Sequence, residues 1–268
     1  MIKNSRICRL MTSSEEAIPF INYYKMELQK QFNLFPIYSD SSKENWLVIS
    51  GADNKQTSYA LIYLKNCSES KLNTGWLNFG FGIMERKISN CYLIDKISNV
   101  NTNEILYPSI VNINLFERTE IVSVNKSSEK DFLFCDFNSF HFYKTINKYV
   151  NKELIYIIKI SINKNQIFNN VLKKSLIRKN FEKIIELEKI IINYSQIESV
   201  SVNPPKYFCE IIKQLNFTTS EKFQLKSLLQ SWNNLYSRNL IKDIKNIRKA
   251  DLVLKFLKSD IQKGELTW

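Results

Sequence analysis

Residues 46–64 read WLVISGADNKQTSYALIYL. Two apolar runs, Trp46–Ser50 and Ser58–Leu64, flank the polar segment GADNKQT, and this pattern predicts a β-hairpin. A hairpin here makes the first half of the chain a strand-rich region. Downstream, Asn73–Glu85, Tyr92–Ile97, Ile110–Phe116, Thr119–Val124, Phe132–Phe142 and Leu154–Ile162 read as further strands. Leu133, Cys135 and Phe137 alternate with Phe132, Phe134 and Asp136, as in a strand covered on both faces.

Upstream, Arg6–Met11 reads as a short first strand. Thr12 with Glu15, and Ser13 with Glu16, match the spacing of a capping box. The helix that follows carries Ile18, Ile21, Tyr24 and Leu28 on one face. Pro19 places its start near Ala17 or Ile18, and Pro36 sets its limit.

From Gln166 the period changes to that of a helix: Ile167, Val171, Ile177, Phe181, Ile184, Ile185 and Ile191 recur at helical spacing. Pro204–Pro205 opens a short helix, Thr218 with Glu221 forms a third capping box, and two helical stretches follow around Leu240–Ile247 and Ala250–Ile261. The expected fold class is α+β: a strand-rich N-terminal part with one or two helices (1–165), then an all-helical, basic C-terminal part (166–268).

Charge follows the same division. Residues 1–133 hold 15 Lys and Arg against 14 Asp and Glu, a net of +1; residues 134–268 hold 23 against 12, a net of +11. Arg accounts for 7 of the 38 cations, so Lys is 31. Heavy use of Lys, Asn, Ile, Phe and Tyr matches A/T-rich codons and hints at an AT-rich microbe, virus or mobile element. Base composition raises Lys in both halves, however, and leaves the asymmetry to be explained. A basic half predicts an anionic partner. The densest points are Lys173, Lys174, Arg178, Lys179 and Lys183, then Lys242, Lys245, Arg248 and Lys249. Lys174 and Arg178, like Lys179 and Lys183, share a helix face. Such stripes neutralise phosphates, and the scarcity of Arg disfavours reading of bases.

Absences narrow the chemistry. The single histidine, His141, is too few for two-histidine nucleases or HExxH proteases. No P-loop, GxGxxG, GxSxG or kinase motif set occurs. Five cysteines, none in CxxC spacing, argue against a zinc site and for reduced thiols. Three of the five glycines, Gly75, Gly80 and Gly82, fall in one strand. They mark a bulge, tight packing against a helix, or the close approach of a ligand.

One spacing carries a metal hypothesis. Asp53 precedes SYALIYLKN, and Glu69-Ser-Lys71 follows. Over about 20 residues this resembles the arrangement of PD-(D/E)xK nucleases, although Asp53 has no preceding Pro and Glu69–Lys71 falls in polar NCSESKLN. The resemblance implies that Asp53 and Glu69 hold Mg²⁺ and that Lys71 sits near the attacking water.

These readings lead to a non-catalytic accessory subunit, cytoplasmic and without a membrane segment. Its basic helices would contact DNA or RNA backbone, and a protein partner would carry the catalytic activity in a phage, mobile-element or antiphage-defence system. No cofactor is expected, with Mg²⁺ required only by the nuclease alternative. A protein-binding effector or immunity-type protein without nucleic-acid contact is the third reading.

Overall fold

The strand GWLNFGFGI, Gly75–Ile83, is buried along most of its length and has ladders on both sides. A run with no polar face needs cover on both faces, which is the environment of a parallel sheet between helix layers. The computed structural model describes residues 6–51, 53–84, 89–110, 114–124, 133–202, 205–236, 238–245, 247 and 249–265.

The elements, in chain order, are β1 (Ile7–Met11), α1 (Ser14–Tyr23), β2 (Glu27–Leu28), β3 (Ile37–Ser39), β4 (Asn45–Ile49), α2 (Asn54–Cys67), β5 (Gly75–Ile83), β6 (Cys91–Asn99) and β7 (Ile105–Leu106). After these come β8 (Glu117–Ser123), β9 (Cys135–Asp136), α3 (Ser139–Ile146), β10 (Ile155–Ile162), α4 (Asn170–Val202), α5 (Phe208–Gln214), α6 (Thr219–Leu235), α7 (Leu240–Ile244) and α8 (Ala250–Glu265). All ten strands belong to one sheet. β1 lies parallel between β4 and β5, and β10 lies parallel to β5 in unbroken register from Ile155 against Trp76 to Ile162 against Ile83. The pairings β10–β6, β6–β8, β8–β9, β9–β5 and β5–β10 close a five-stranded barrel at one end of the sheet.

This corrects the expected fold class. Helices and strands interleave as far as β10, and no strand-rich block precedes an all-helical one. The hairpin over residues 46–64 is the origin of the error: β4 is a strand, but Ser58–Leu64 lies within α2. The presumed turn is a helix cap, in which the Asp53 carboxylate accepts from the backbone N–H groups of Lys55 (2.8 Å) and Gln56 (3.0 Å). Ala60, Leu61 and Leu64 are buried while Tyr59 is 66% exposed, a helical period that seven residues of sequence could not separate from a buried strand. Phe132–Phe142 divides in the same way. Within its described part, only Cys135–Asp136 is strand, and Ser139 opens α3. Ile110 and residues 114–116 are not strand, and residues 111–113 lie outside the described part. α1 starts at Ser14, ahead of Pro19, which it accommodates internally.

Two apolar layers flank the sheet. One joins Trp46, Trp76 and Ile157 to Ala60, Leu61 and Leu64 of α2 and Phe140 and Phe142 of α3. The other joins Leu77, Phe79, Tyr156 and Ile158 to Phe20 of α1 and Ile177, Ile184, Leu187 and Ile191 of α4. The chain forms two compact units, Met1–Ile197 and Glu198–Trp268. The second unit has its own core, including Leu225, Leu229, Trp232, Leu240, Val253 and Leu257. Its α6 begins with the capping box expected from sequence: Thr218 Oγ1 accepts from Glu221 N (3.3 Å), and Glu221 Oε2 accepts from Thr218 N (2.8 Å). Among the described residues no helix is long and apolar enough to cross a membrane.

Candidate functional site

Parallel strands that end together leave a crevice at their carboxyl ends, where the helices that follow splay apart. β5 and β10 end together here, at Ile83 and Ile162, and β1 ends at Met11, one residue past its Leu10–Asn78 pair. A cavity of about 210 Å³ opens among Thr12, Ser13 and Glu16 after β1, Phe81, Gly82 and Ile83 at the end of β5, and Ile162 at the end of β10. Asp136 at the end of β9, with Phe137 and Asn138 before α3, closes one wall together with Lys159, while Ile167 precedes α4 and Lys173 lies on its first turn.

Glu16 is the carboxylate of the first wall. It is 4% exposed, and its Oε2 accepts from Thr12 N (2.7 Å) and Thr12 Oγ1 (2.6 Å). Ser13, the N-cap of α1, makes no side-chain cap bond. The capping-box signal at Thr12–Glu16 therefore reflects a carboxylate folded back on the end of β1. Gly80 makes room for it, since a Cβ there would stand 3.0 Å from Glu16 Oε1. A Cβ on Gly82 would stand 2.4 Å from Phe134, and one on Gly75 2.4 Å from Ile191 of α4. The glycine cluster serves close packing, with no register shift in the β5 ladders.

The opposite wall is a buried polar cluster. Lys159 is 1% exposed, and its Nζ donates to Asn78 Oδ1 (2.7 Å) and Asn138 Oδ1 (2.8 Å) and lies 3.0 Å from Asp136 Oδ2. An ammonium has three protons, and all three are taken. Asp136 also accepts from Ser123 Oγ (2.9 Å), Ser139 N (3.1 Å) and Ser139 Oγ (2.5 Å). Asn138 Oδ1 takes a second donor, Asn78 Nδ2 (3.2 Å). Asn138 Nδ2, in a residue 1% exposed, has no hydrogen-bond partner among the described residues. A buried amide N–H without an acceptor costs about 1–3 kcal/mol.

The residues singled out from sequence go elsewhere, with one exception. Asp53 caps α2, whereas Glu69 and Lys71 lie beyond the far end of that 14-residue helix, about 21 Å of rise away. The strand that the PD-(D/E)xK arrangement requires between them is a helix. Among the described residues no cluster of three His, Cys, Asp or Glu could hold a metal ion. His141 lies on α3, half-buried, with its ring 5.6 Å from that of Phe140; burial, then Lys144, lowers its pKa. Burial pushes the Cys91 thiol up to about 12 and the Cys135 thiol up to about 11, which removes both as nucleophiles near neutral pH.

Lys173 is the exception, since it lines the cavity with its Nζ 5.4 Å from the Phe81 ring centroid. Lys174 and Arg178 line a neighbouring groove with Glu15, Pro19 and Glu182, and Lys179 and Lys183 are exposed on α4. Lys242, Lys245 and Lys249 are exposed in the second unit, and Arg248 lies outside the described residues. The two basic clusters thus belong to different compact units. Sequence reasoning missed Glu16 as a site group, and it missed Asn78, Asp136, Asn138 and Lys159. The available signal was Lys159 itself, a lone cation inside IYIIKISI, because a charge in a fully apolar strand must be paired.

No family model and no curated protein matches the chain. Solved structures do match. The 5′-methylthioadenosine/S-adenosylhomocysteine nucleosidase of S. pneumoniae, solved with a transition-state inhibitor, superposes with a TM-score of 0.53 at 11% identity, covering 69% of this chain and 98% of that one. The nucleosidase (MTAN) of Chlamydia trachomatis bound to MTA gives 0.51 at 17% identity, over 70% and 99%. A futalosine hydrolase mutant of Helicobacter pylori gives 0.51 at 9% identity, over 68% and 99%.

This chain has a nucleosidase fold. That finding overturns the non-catalytic accessory subunit bound to nucleic-acid backbone, and the DNA-binding role with it. The structures sharing the fold are enzymes named for small molecules, and here Lys173 lines a cavity.

Proposed function

We propose that the chain is a hydrolase of the N-glycosidic bond of a nucleoside-type small molecule, acting in the cavity at the ends of β1, β5 and β10. The observation that carries this reading is the Glu16 carboxylate, buried on the cavity wall opposite the polar cluster of Lys159, Asp136 and Asn138. Support for the substrate class comes from the fold, which is shared with proteins named for 5′-methylthioadenosine, S-adenosylhomocysteine and futalosine.

In this reading Glu16 takes a proton from water. The water oxygen bonds to the anomeric carbon as the bond from carbon to base nitrogen breaks, and the electron pair leaves with the base, which takes a proton from solvent. Thr12 fixes one carboxylate oxygen and leaves the other for the water. Phe81, Phe137 and Ile162 supply the apolar lining for a base. A positioned general base contributes about 10²–10⁴-fold. Glu16→Gln is therefore expected to lower release of free base by about 100-fold or more, read by chromatography. Equal release from the variant would remove Glu16 from the chemistry.

Asp136 favours a second reading, binding without turnover. Glycosidic chemistry usually pairs two carboxylates, and here the second is neutralised by Lys159 and held by Ser123 and Ser139. A nucleoside that titrates stoichiometrically and is recovered intact would select this reading.

A further inference from the structure

Independently of the chemistry in the cavity, we propose that the exposed face of α4 docks a second copy of this chain, the two α4 helices packing antiparallel. The observation is a row of charges at four-residue spacing, Lys174, Arg178, Glu182 and Glu186, all exposed. Residues four apart form a continuous ridge on a helix. The two signs are separated along this ridge, with cations at its start and anions at its end. Laid against its own copy in the opposite direction, the ridge sets Lys174 against Glu186 and Arg178 against Glu182, and two-fold symmetry repeats both pairs. A parallel copy in register would oppose like charges at every step. Lys179 and Lys183 belong to the next row round the helix, so the ridge itself is neutral.

None of the four forms an ion pair among the described residues. Pairing within the helix is weakly favoured here, because a cation placed four residues before a carboxylate is the poorer orientation. Lys174 also stands near the N-terminal end of α4, where the helix dipole gives a cation no help. The helix by itself gains little from this arrangement. The same face carries apolar surface for a contact. Val171, 81% exposed, lies three residues before Lys174 and seven before Arg178, on the same side of α4. Beside the ridge, α1 and α4 enclose a groove of about 500 Å³, its apolar lining made by Ile18, Pro19 and Phe181. Lys174, Arg178 and Glu182 line it too, and with Glu15 their charges sum to zero. The groove therefore calls for neither an acidic nor a basic partner. It calls for a surface carrying both signs in reverse order, which is what a second copy presents.

The test is sedimentation velocity of the full chain across a concentration series. An interface of two helices a side is small, so a dimer with a dissociation constant of about 1–100 μM is expected. Its affinity is expected to fall about tenfold between about 50 mM and 500 mM salt. Two double variants decide the face. Glu182→Lys with Glu186→Lys makes the ridge wholly basic, and Lys174→Glu with Arg178→Glu makes it wholly acidic. Each alone is expected to be monomeric over the same range, and an equimolar mixture of the two is expected to form a heterodimer, which also shows that both variants are folded. A wild-type chain that stays monomeric throughout, a dimer equally stable in both variants, or a mixture that yields no heterodimer overturns the inference.

Discussion

Glycines 80 and 82 are two residues apart on one strand and meet different neighbours. A methyl group at 80 presses on the Glu16 carboxylate, at 3.0 Å, whereas one at 82 presses on the Phe134 ring, at 2.4 Å. Gly82→Ala is expected to destabilise the fold by about 1–3 kcal/mol through overpacking, read by urea unfolding. Gly80→Ala is expected to shift stability by less, because its clash is milder, and ligand affinity by more, because it falls on the cavity carboxylate. Equal stability losses in the two variants would contradict this division. Part of this was legible in the sequence: three glycines in one strand of a glycine-poor chain announce close approach. What they approach was not, because Glu16 lies about sixty residues away and Phe134 about fifty. The polar cluster was hidden for a similar reason. Asp136 and Asn138 sit in an aromatic run that reads as strand, and nothing local says that the chain turns into α3 between them and His141.

At the scale of elements, α4 is fixed to the sheet by a buried ion pair. Arg9 of β1 donates through Nε to Glu188 Oε1 (2.5 Å) and through Nη2 to Oε2 (2.9 Å), and Tyr24 Oη donates to the same Oε2 (2.6 Å). Burial works against the Arg9 charge, but Glu188 outweighs it, and the net shift is upward. Arg9→Met leaves Glu188 uncompensated and is expected to cost about 3–5 kcal/mol, with the double variant Arg9→Met/Glu188→Met recovering part of the loss. No recovery in the double variant would mean that the pair is not the source of the loss. Burial, then Glu188, also raises the pKa of Tyr24 above its ordinary 10.0. Above pH 10 the unfolded chain releases this proton while the folded chain retains it. The Tyr24 contribution is complete below pH 10 and erodes above it. Tyr24→Phe is expected to flatten that alkaline loss relative to wild type, followed by thermal unfolding against pH. The helices α4, α6 and α8 were legible from their period, and α6 from its cap. α2 and α3 were not, because a short buried helix and a short buried strand present the same run of apolar letters.

For the molecule as a whole, a charge excess along the chain proved to be no map of charge in space. The +11 of residues 134–268 includes one cation neutralised inside the sheet, Lys159, and one at a cavity, Lys173. It also includes two exposed clusters in separate compact units. Fold class turned on whether residues 54–67 were strand or helix, and with that element corrected the chain becomes a sheet whose parallel strands open onto a cavity. The central claim is that water, activated at Glu16, attacks the anomeric carbon of a nucleoside-type ligand in that cavity. Its most direct measurement is mass spectrometry of the products of a single-turnover reaction in water carrying heavy oxygen, with excess protein over nucleosides and their monophosphates. The account predicts release of free base, with the heavy oxygen on the sugar and none on the base. Full recovery of every intact substrate, or a sugar product without the label, would contradict it.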